Sequence, residues 1–308
     1  MPVHNGVDTL ERAVASLVGQ SLKSLEIVIV DDGSDDGSSD LVDELASRYP
    51  QVLPLHMSRN LGVHEARLAG IKVSTAPWIG FMDCDDFARP DMYEVMSNAG
   101  EKHDADIVVC GAYWVTAAGR VLRPALRFRK SVTVTTDIFL RFSRFRFGLG
   151  MLWNKLYRRE LISAYGDMHF PWRQSLNEDL LLNIGPFKDA RAVRVLRNML
   201  YCYTKRQASV TATVGREEAV VQTLRAYALA VDAFSNEGSD FLAAITNMYR
   251  LQFMRDSLRL EDIDLLASRE SDISEAVGLI IKSYPAGIAG LITRPPLRPQ
   301  WLGAFAQV

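Results

Sequence analysis

The chain has 308 residues, 48% of them hydrophobic, and a formal net charge of −2. That length and apolar content support a substantial core, as one large domain with an appendage, and the near-neutral charge excludes a global electrostatic pull toward nucleic acid. The three cysteines, at positions 84, 110 and 202, are widely spaced and odd in number, which argues against a disulfide framework and for a reducing compartment.

The start, MPVHNGVDTLERAV, has neither a basic leader nor an apolar stretch, so no signal peptide is read and a cytoplasmic location is expected. MPVHN itself reads as only the tail of a strand: either the first strand is short or the chain begins late. LERAVASLV then puts Leu10, Ala13, Val14, Leu17 and Val18 on one helical face, and EIVIVDDGS is a β-branched run ending in turn chemistry. The alternation repeats: SSDLVDELASRY as a helix capped by Ser38 or Ser39, VLPLHM as a strand, GVHEARLAGIKV as a helix, WIGFMD as an apolar strand, and DIVVCGAYWV (106–115) as another. Strands alternating with helices predict an α/β fold with a largely parallel sheet. From about residue 100 to 205 the pattern is irregular and rich in Arg and aromatics. After Gly215 three amphipathic stretches (217–234, 240–258 and 261–284) predict a helical C-terminal subdomain, and the tail TRPPLRPQWLGAFAQV is expected to be irregular. The apolar run at 276–292 is broken by Lys282 and Pro285 and falls short of the roughly 20 residues a spanning helix needs, so no transmembrane helix is expected.

Two acidic turns stand at strand ends, where doubly wound sheets bind ligands. In MDCDD, Asp83, Asp85 and Asp86 would repel one another unless a cation or hydrogen-bond donors neutralised them. Hard cations such as Mg²⁺ or Mn²⁺ take carboxylate and phosphate oxygens, so a cation bridging these side chains to a diphosphate fits. The alternative is a solvated turn in which Asp86 caps the helix beginning near Pro90. In VDDGSDDGS, Gly33 and Gly37 permit a tight turn, and Asp31 or Asp32 can accept hydrogen bonds from a nucleobase or ribose; the alternative is an acidic loop leading into a helix cap. His4, His56, His64, His103 and His169 show no metal-ligand spacing.

PVHNG, EIVIVDDGSDDGS, SRNLGVHEARLAGI and WIGFMDCDD, in this order and spacing, resemble the nucleotide-sugar-binding half of family 2 glycosyltransferases with the GT-A fold. LWNKLYRRELI, NEDLLLN and YTKRQASVT resemble the second half of bacterial members that build capsular and extracellular polysaccharides. The resemblance implies a GT-A-type domain over 1–214, with a nucleotide-sugar-binding half (1–115) and an acceptor half (116–214), and leaves 215–308 as a helical subdomain that matches nothing. It implies that Pro2, Val3, His4, Asn5, Asp31, Asp32, Arg67, Asp83 and Cys84 bind the nucleotide, and that Asp85, Asp83 and Asp86 hold a divalent cation, Mn²⁺ or Mg²⁺. Glu178 and Asp179 match the acidic pair on the acceptor side, with Asp179 the general base. Lys155, Lys205 and Arg206 are candidate diphosphate or acceptor contacts.

The implied reaction is a metal-dependent, inverting hexosyl transfer from a nucleotide diphosphate sugar, UDP-linked, to a glycan or lipid-linked acceptor. An acceptor hydroxyl attacks the anomeric carbon, a carboxylate takes its proton, and a cation offsets the charge on the leaving diphosphate. For NEDLLLN the plain alternative is helix-start chemistry, with Asn177 as cap. Two other functions stay open: a sugar nucleotidyltransferase, which would normally show a glycine-rich basic N-terminal loop, and a non-catalytic sugar-nucleotide-binding module. The run RFRKSVTVTTDIFLRFSRFRFG, with Arg127, Arg129, Lys130, Arg141, Arg144 and Arg146 among five phenylalanines, lacks a nucleic-acid motif. It reads either as a surface approaching anionic lipid, which would make the protein peripheral at the inner face of the membrane, or as an amphipathic helix with phenylalanines inward.

Overall fold

The run IVIVD, buried at every position, forms β2 (Ile27–Asp31) in the middle of a three-stranded parallel sheet, between β1 (Pro2–Val3) and β3 (Val52–His56). The computed structural model describes residues 1–205, 214–255 and 270–292. The chain divides into two compact units, one of Met1–Ile138, Met151–Arg173 and Gly185–Gln207, the other of Phe139–Gly150, Gln174–Ile184 and Ala208–Val308. Two short segments before residue 214, the expected boundary, group with the C-terminal helices.

In the first unit the helices follow the apolar spacing. Helix α1 (Val7–Val18) buries Leu10, Ala13, Val14 and Leu17, an i, i+3, i+4, i+7 stripe, and each Leu or Val so buried contributes on the order of 2 kcal/mol. Helix α2 (Ser38–Arg48) corrects the expected serine cap. Gly37, at φ 92°, holds the cap position without a side-chain bond, while the Ser38 hydroxyl donates to Asp36 at 2.6 Å and accepts the Gly6 N–H at 2.9 Å. Helices α3 (Val63–Val73) and α4 (Met92–Lys102) complete the flanking layer.

The second sheet is mixed. Its order is β4 (Trp78–Gly80), β9 (Lys155–Arg158), β6 (Ile107–Val115), β10 (Val193–Thr204), β5 (Phe87–Ala88), with β7 (Val121–Leu126) on β6 and β8 (Val132–Val134) on β10. Only β6 and β10 run parallel in it; the other pairs are antiparallel. The expectation of a largely parallel sheet therefore holds for β1–β2–β3 alone, because β7, β8 and β9 are short returns without the helical crossover that a parallel neighbour needs. An apolar cavity of about 300 Å³ lies between β2 and β4, lined by Ile27, Val28, Ile79, Phe81 and Leu156.

Helix α5 (Ile138–Ser143) falls at the boundary between the units, α6 (Arg159–Ser163) lies in the first, and α7 (Glu178–Asp189) runs from the second into the first. The second unit is helical: α8 (Arg216–Ala233), α9 (Ser239–Arg255), α10 (Glu270–Ser283) and α11 (Gly287–Ile292). Helix α8 buries Val220, Val221, Leu224, Tyr227, Ala228 and Val231, most of its circumference, and packs against α9 and α10. Phe139 stacks on Phe241 at 4.1 Å. The apolar run at 276–292 is broken at Pro285, which stands between the end of α10 and the start of α11. The run at 127–148 is not one helix. It supplies β8 and α5, with Phe128, Phe142, Phe145 and Phe147 buried and Arg127, Arg129, Arg141, Arg144 and Arg146 exposed. Among the described residues no helix is long and apolar enough to cross a membrane, and the tail at 293–308 lies outside them.

Candidate functional site

The acidic loop after β4 is built by bonds across the whole of the first unit. Asp83 is half-buried and accepts a hydrogen bond from the Arg67 guanidinium of α3 at 3.2 Å. Arg67 itself is only 8% exposed, so the ion pair is sheltered from solvent. Cys84 packs against Gly6, where an added Cβ would lie 3.0 Å from its sulfur; the glycine lets the end of β1 approach the loop. Asp85 is half-buried, and its backbone carbonyl accepts a bond from Arg12 at 2.9 Å.

Asp86, expected as a third metal ligand, is held by donors of the protein itself. It is 1% exposed, and its two carboxylate oxygens accept the Tyr201 hydroxyl and the Thr204 backbone N–H, both at 2.7 Å. Burial first, then the charges of Asp83 and Asp85, push its pKa well up. Nor does it cap α4, whose cap position is Asp91. Arg12 completes the arrangement: besides Asp85 it reaches the Thr204 hydroxyl at 3.2 Å and the Ala117 carbonyl, and lies over the Phe87 ring.

Asp32, expected to bind the nucleotide, is bonded in a similar way. It is 2% exposed, and its oxygens accept the backbone N–H groups of Leu61 and Gly62 at 2.7 and 2.8 Å. Asp31, 3% exposed, accepts the Ser34 N–H at 3.1 Å and faces the His56 ring at 3.3 Å. Burial raises its pKa, but the bonds from Ser34, His56 and Ser39 prevail and the net direction is down. These two carboxylates therefore hold the loops after β2 and β3 together. Pro2 and Val3 are core residues, whereas His4 and Asn5 are exposed at the end of β1. Asn5, at φ 52°, exchanges side-chain and backbone bonds with Asp35 at 2.8 and 3.0 Å.

Lys155, a candidate diphosphate or acceptor contact, lies in the interior. This lysine is 1% exposed on β9, and its ammonium donates to the Met151 carbonyl and, at 3.0 Å, to the Asn154 side chain. Lys205 is exposed directly after β10, with its N–H on the Val115 carbonyl at 2.9 Å. Arg206 lies outside the described residues.

Glu178 and Asp179 open α7 in the second unit, Glu178 buried and Asp179 half-buried. Asn177, at φ 63°, gives its backbone carbonyl to the Leu181 N–H and its side-chain amide to Thr223, so it does not act as a side-chain cap. The Asp179 carboxylate accepts the Leu180 N–H at 2.8 Å, and its carbonyl takes a bond from Asn183. Burial and then the charge of Asp179 push the pKa of Tyr249 up.

Sequence reading missed Arg12, Tyr201 and Thr204. Arg12 sits on an otherwise ordinary amphipathic helix, and the other two lie more than a hundred residues from the loop they hold; nothing local marks them. Among the described residues no group of three or more His, Cys, Asp and Glu side chains is arranged to hold a metal ion.

A family model, Glycosyl transferase family 2, matches residues 1–166. The uncharacterized glycosyltransferase EpsJ of Bacillus subtilis is 30% identical over 214 residues, 68% of this chain and 61% of that protein. The succinoglycan biosynthesis protein ExoO of Rhizobium meliloti is 36% identical over 120 residues, 39% of this chain and 34% of that protein. Among solved structures, residues 1–349 of S. aureus TarS in complex with UDP-GlcNAc superpose with a TM-score of 0.71 at 20% identity, covering 94% of this chain and 81% of that one. The chain spans between 48% and 61% of the length of four curated relatives that it matches.

Proposed function

The chain belongs to glycosyl transferase family 2, and from that premise we propose that it moves a sugar from a UDP-sugar to a glycan or lipid-linked acceptor in polysaccharide biosynthesis, with inversion at the anomeric carbon. Its fold is the GT-A-type α/β arrangement of its structural neighbours, with a helical C-terminal part. The observation that carries the reading is the ion pair between Arg67 and Asp83. It joins two sequence motifs, those of α3 and of the strand after it, at the acidic loop, which Cys84 packs against the end of β1. The complex of a like-folded protein with UDP-GlcNAc supports a UDP-linked donor.

A hard cation needs only one or two carboxylates when phosphate and water supply its other ligands. Asp85 and Asp83 fit that role, Asp86 being committed to Tyr201 and Thr204. Bound there, Mn²⁺ or Mg²⁺ would offset negative charge on the diphosphate. Arg67, Asp83, His4 and Asn5 would orient the nucleotide. In the transfer, the acceptor oxygen forms a bond to the anomeric carbon, the bond from that carbon to the diphosphate oxygen breaks, and Asp179 takes the hydroxyl proton as UDP leaves.

The test is calorimetric titration of UDP-sugars with and without Mn²⁺, alongside turnover of Asp179→Asn. The reading expects metal-dependent UDP binding, and a variant that keeps donor binding while losing turnover by roughly a hundredfold or more. Absence of nucleotide binding under both conditions would overturn it. A non-catalytic binding module would instead leave Asp179→Asn without effect.

A further inference from the structure

The hairpin of β6 and β7 carries the least expected surface of the first unit. In β7, Val121 through Ala125 are all exposed, with Val121 at 49% and Leu122 at 44%. Val132, on β8, is 46% exposed. These are three of the seven exposed large hydrophobic side chains among the described residues, within twelve positions of one another. Around them Arg120, Arg123, Arg127, Arg129 and Lys130 are all exposed, and no Asp or Glu occurs between Asp106 and Asp137. Arg197 adds a further exposed cation beside the β7–β8 connection, its N–H bonded to the Ser131 hydroxyl at 3.0 Å.

Charges and a proline on an edge strand are a common defence against aggregation, and Arg123 and Pro124 would serve that purpose. That explanation does not account for adjacent exposed Val121 and Leu122, which a purely protective edge would replace with polar residues. Cations interleaved with exposed aliphatic side chains are instead what an anionic bilayer surface rewards: the aliphatic groups enter the headgroup layer while the basic groups meet lipid phosphates.

The position of this surface is fixed relative to the acidic loop. Arg12 donates to the Ala117 carbonyl in the β6–β7 turn and to the Asp85 carbonyl, and Gly119 of the same turn lies against Phe87, 3.6 Å from where its Cβ would be. Val121 and Leu122 follow directly on the turn that Arg12 ties to the Asp85 carbonyl.

We propose that β7 and its flanking cations form a docking surface for an anionic lipid bilayer. It presents the acidic loop to a substrate held in that bilayer. The docking stands on the surface alone; the idea that the substrate is a lipid-linked acceptor rests on the transferase reading.

The test is co-sedimentation of the full chain with phosphatidylglycerol/phosphatidylcholine vesicles against vesicles of phosphatidylcholine alone. The expected result is binding to the anionic vesicles only, weakened by salt. Arg123→Glu with Arg127→Glu should weaken that binding at least about tenfold. Val121→Ser with Leu122→Ser should weaken it several-fold, as a second variant that keeps the charge. Both should melt as the parent does and keep UDP binding, which separates failure of docking from failure of the donor site. Equal binding to the two vesicle types, or both variants binding as the parent does, would overturn the proposal. So would retention on polyphosphate with none on anionic vesicles.

Discussion

Tyr201 donates its hydroxyl to Asp86 at 2.7 Å while the same oxygen accepts the Asp83 backbone N–H at 3.3 Å, so one buried side chain from β10 ties both ends of the acidic loop. Trp153 stacks on the Tyr201 ring at 4.4 Å and fixes its plane. Removing the hydroxyl leaves a buried Asp86 oxygen without its donor, which costs about 1–3 kcal/mol. Tyr201→Phe should accordingly lower the melting temperature and also weaken UDP binding. Asp86→Asn keeps an acceptor for Thr204 and should cost less than Asp86→Ala. Chemical denaturation of the three variants checks the order; an Asp86→Asn variant as unstable as Asp86→Ala would contradict it.

Gly33 gives a second prediction. Its φ is +66°, and an added Cβ would lie 2.6 Å from the Arg59 carbonyl carbon. Backbone cannot give way as a flexible side chain can, and the neighbouring Asp32 pins the same loop through Leu61 and Gly62. Gly33→Ala should therefore destabilise by about 2 kcal/mol or more. Gly37→Ala makes a useful control. Its φ is also positive, but an added Cβ would meet only Val7 at 4.0 Å, so it should cost the conformational part alone, about 1 kcal/mol. Equal costs in urea melts would show that the close approach carries no weight.

These residues also mark what could be read from the sequence. The β2 run and the α1 stripe were legible because burial imposes a period on neighbouring positions. The acidic motifs were legible as motifs, but the bonds that hold Asp32 and Asp86 were not. A carboxylate in a turn reads the same whether it points to a ligand or accepts backbone N–H groups from another loop. For Asp86 the deciding partners, Tyr201 and Thr204, are 115 and 118 residues away. The burial of Lys155 was obscured for a related reason, since an ammonium bonded to Met151 and Asn154 leaves no trace in local pattern.

Two histidines predict opposite pH dependences. His64 stacks on Phe170 at 3.9 Å and bonds the Met168 carbonyl at 2.6 Å; burial lowers its pKa from 6.5 to about 4. The unfolded chain takes up a proton that the folded one refuses, so this stability is complete above pH 6.5 and is lost as pH falls toward 4. The loss amounts to up to about 3 kcal/mol at about 1.4 kcal/mol per pH unit. His56 is the reverse. Its bond to Asp43, opposed by burial and helped by Asp31, raises its pKa, so its contribution is complete below 6.5 and is lost as pH rises through the folded value. Denaturant melts from pH 4 to 8 should show His64→Gln flattening the acid limb and His56→Gln flattening the limb above 6.5. An unchanged acid limb in His64→Gln would refute the first assignment.

In the second unit, Tyr227 and Tyr249 are both fully buried, 5.5 Å apart between ring centroids, yet their hydroxyls differ. The Thr246 hydroxyl donates to the Leu242 carbonyl at 2.8 Å, so at the 2.8 Å contact with Tyr227 the tyrosine is the donor. The Tyr249 hydroxyl finds no hydrogen-bond partner among the described residues. Deleting a satisfied buried donor costs about 1 kcal/mol, whereas deleting an unsatisfied one relieves a desolvation penalty. Tyr227→Phe should therefore destabilise by about 1 kcal/mol, and Tyr249→Phe should be neutral or stabilising by a similar amount. The two variants differ from the parent by one oxygen each and leave the ring packing in place, so the sign of the difference reads the hydrogen bond and not the core. A loss of stability in Tyr249→Phe as large as that in Tyr227→Phe would contradict this.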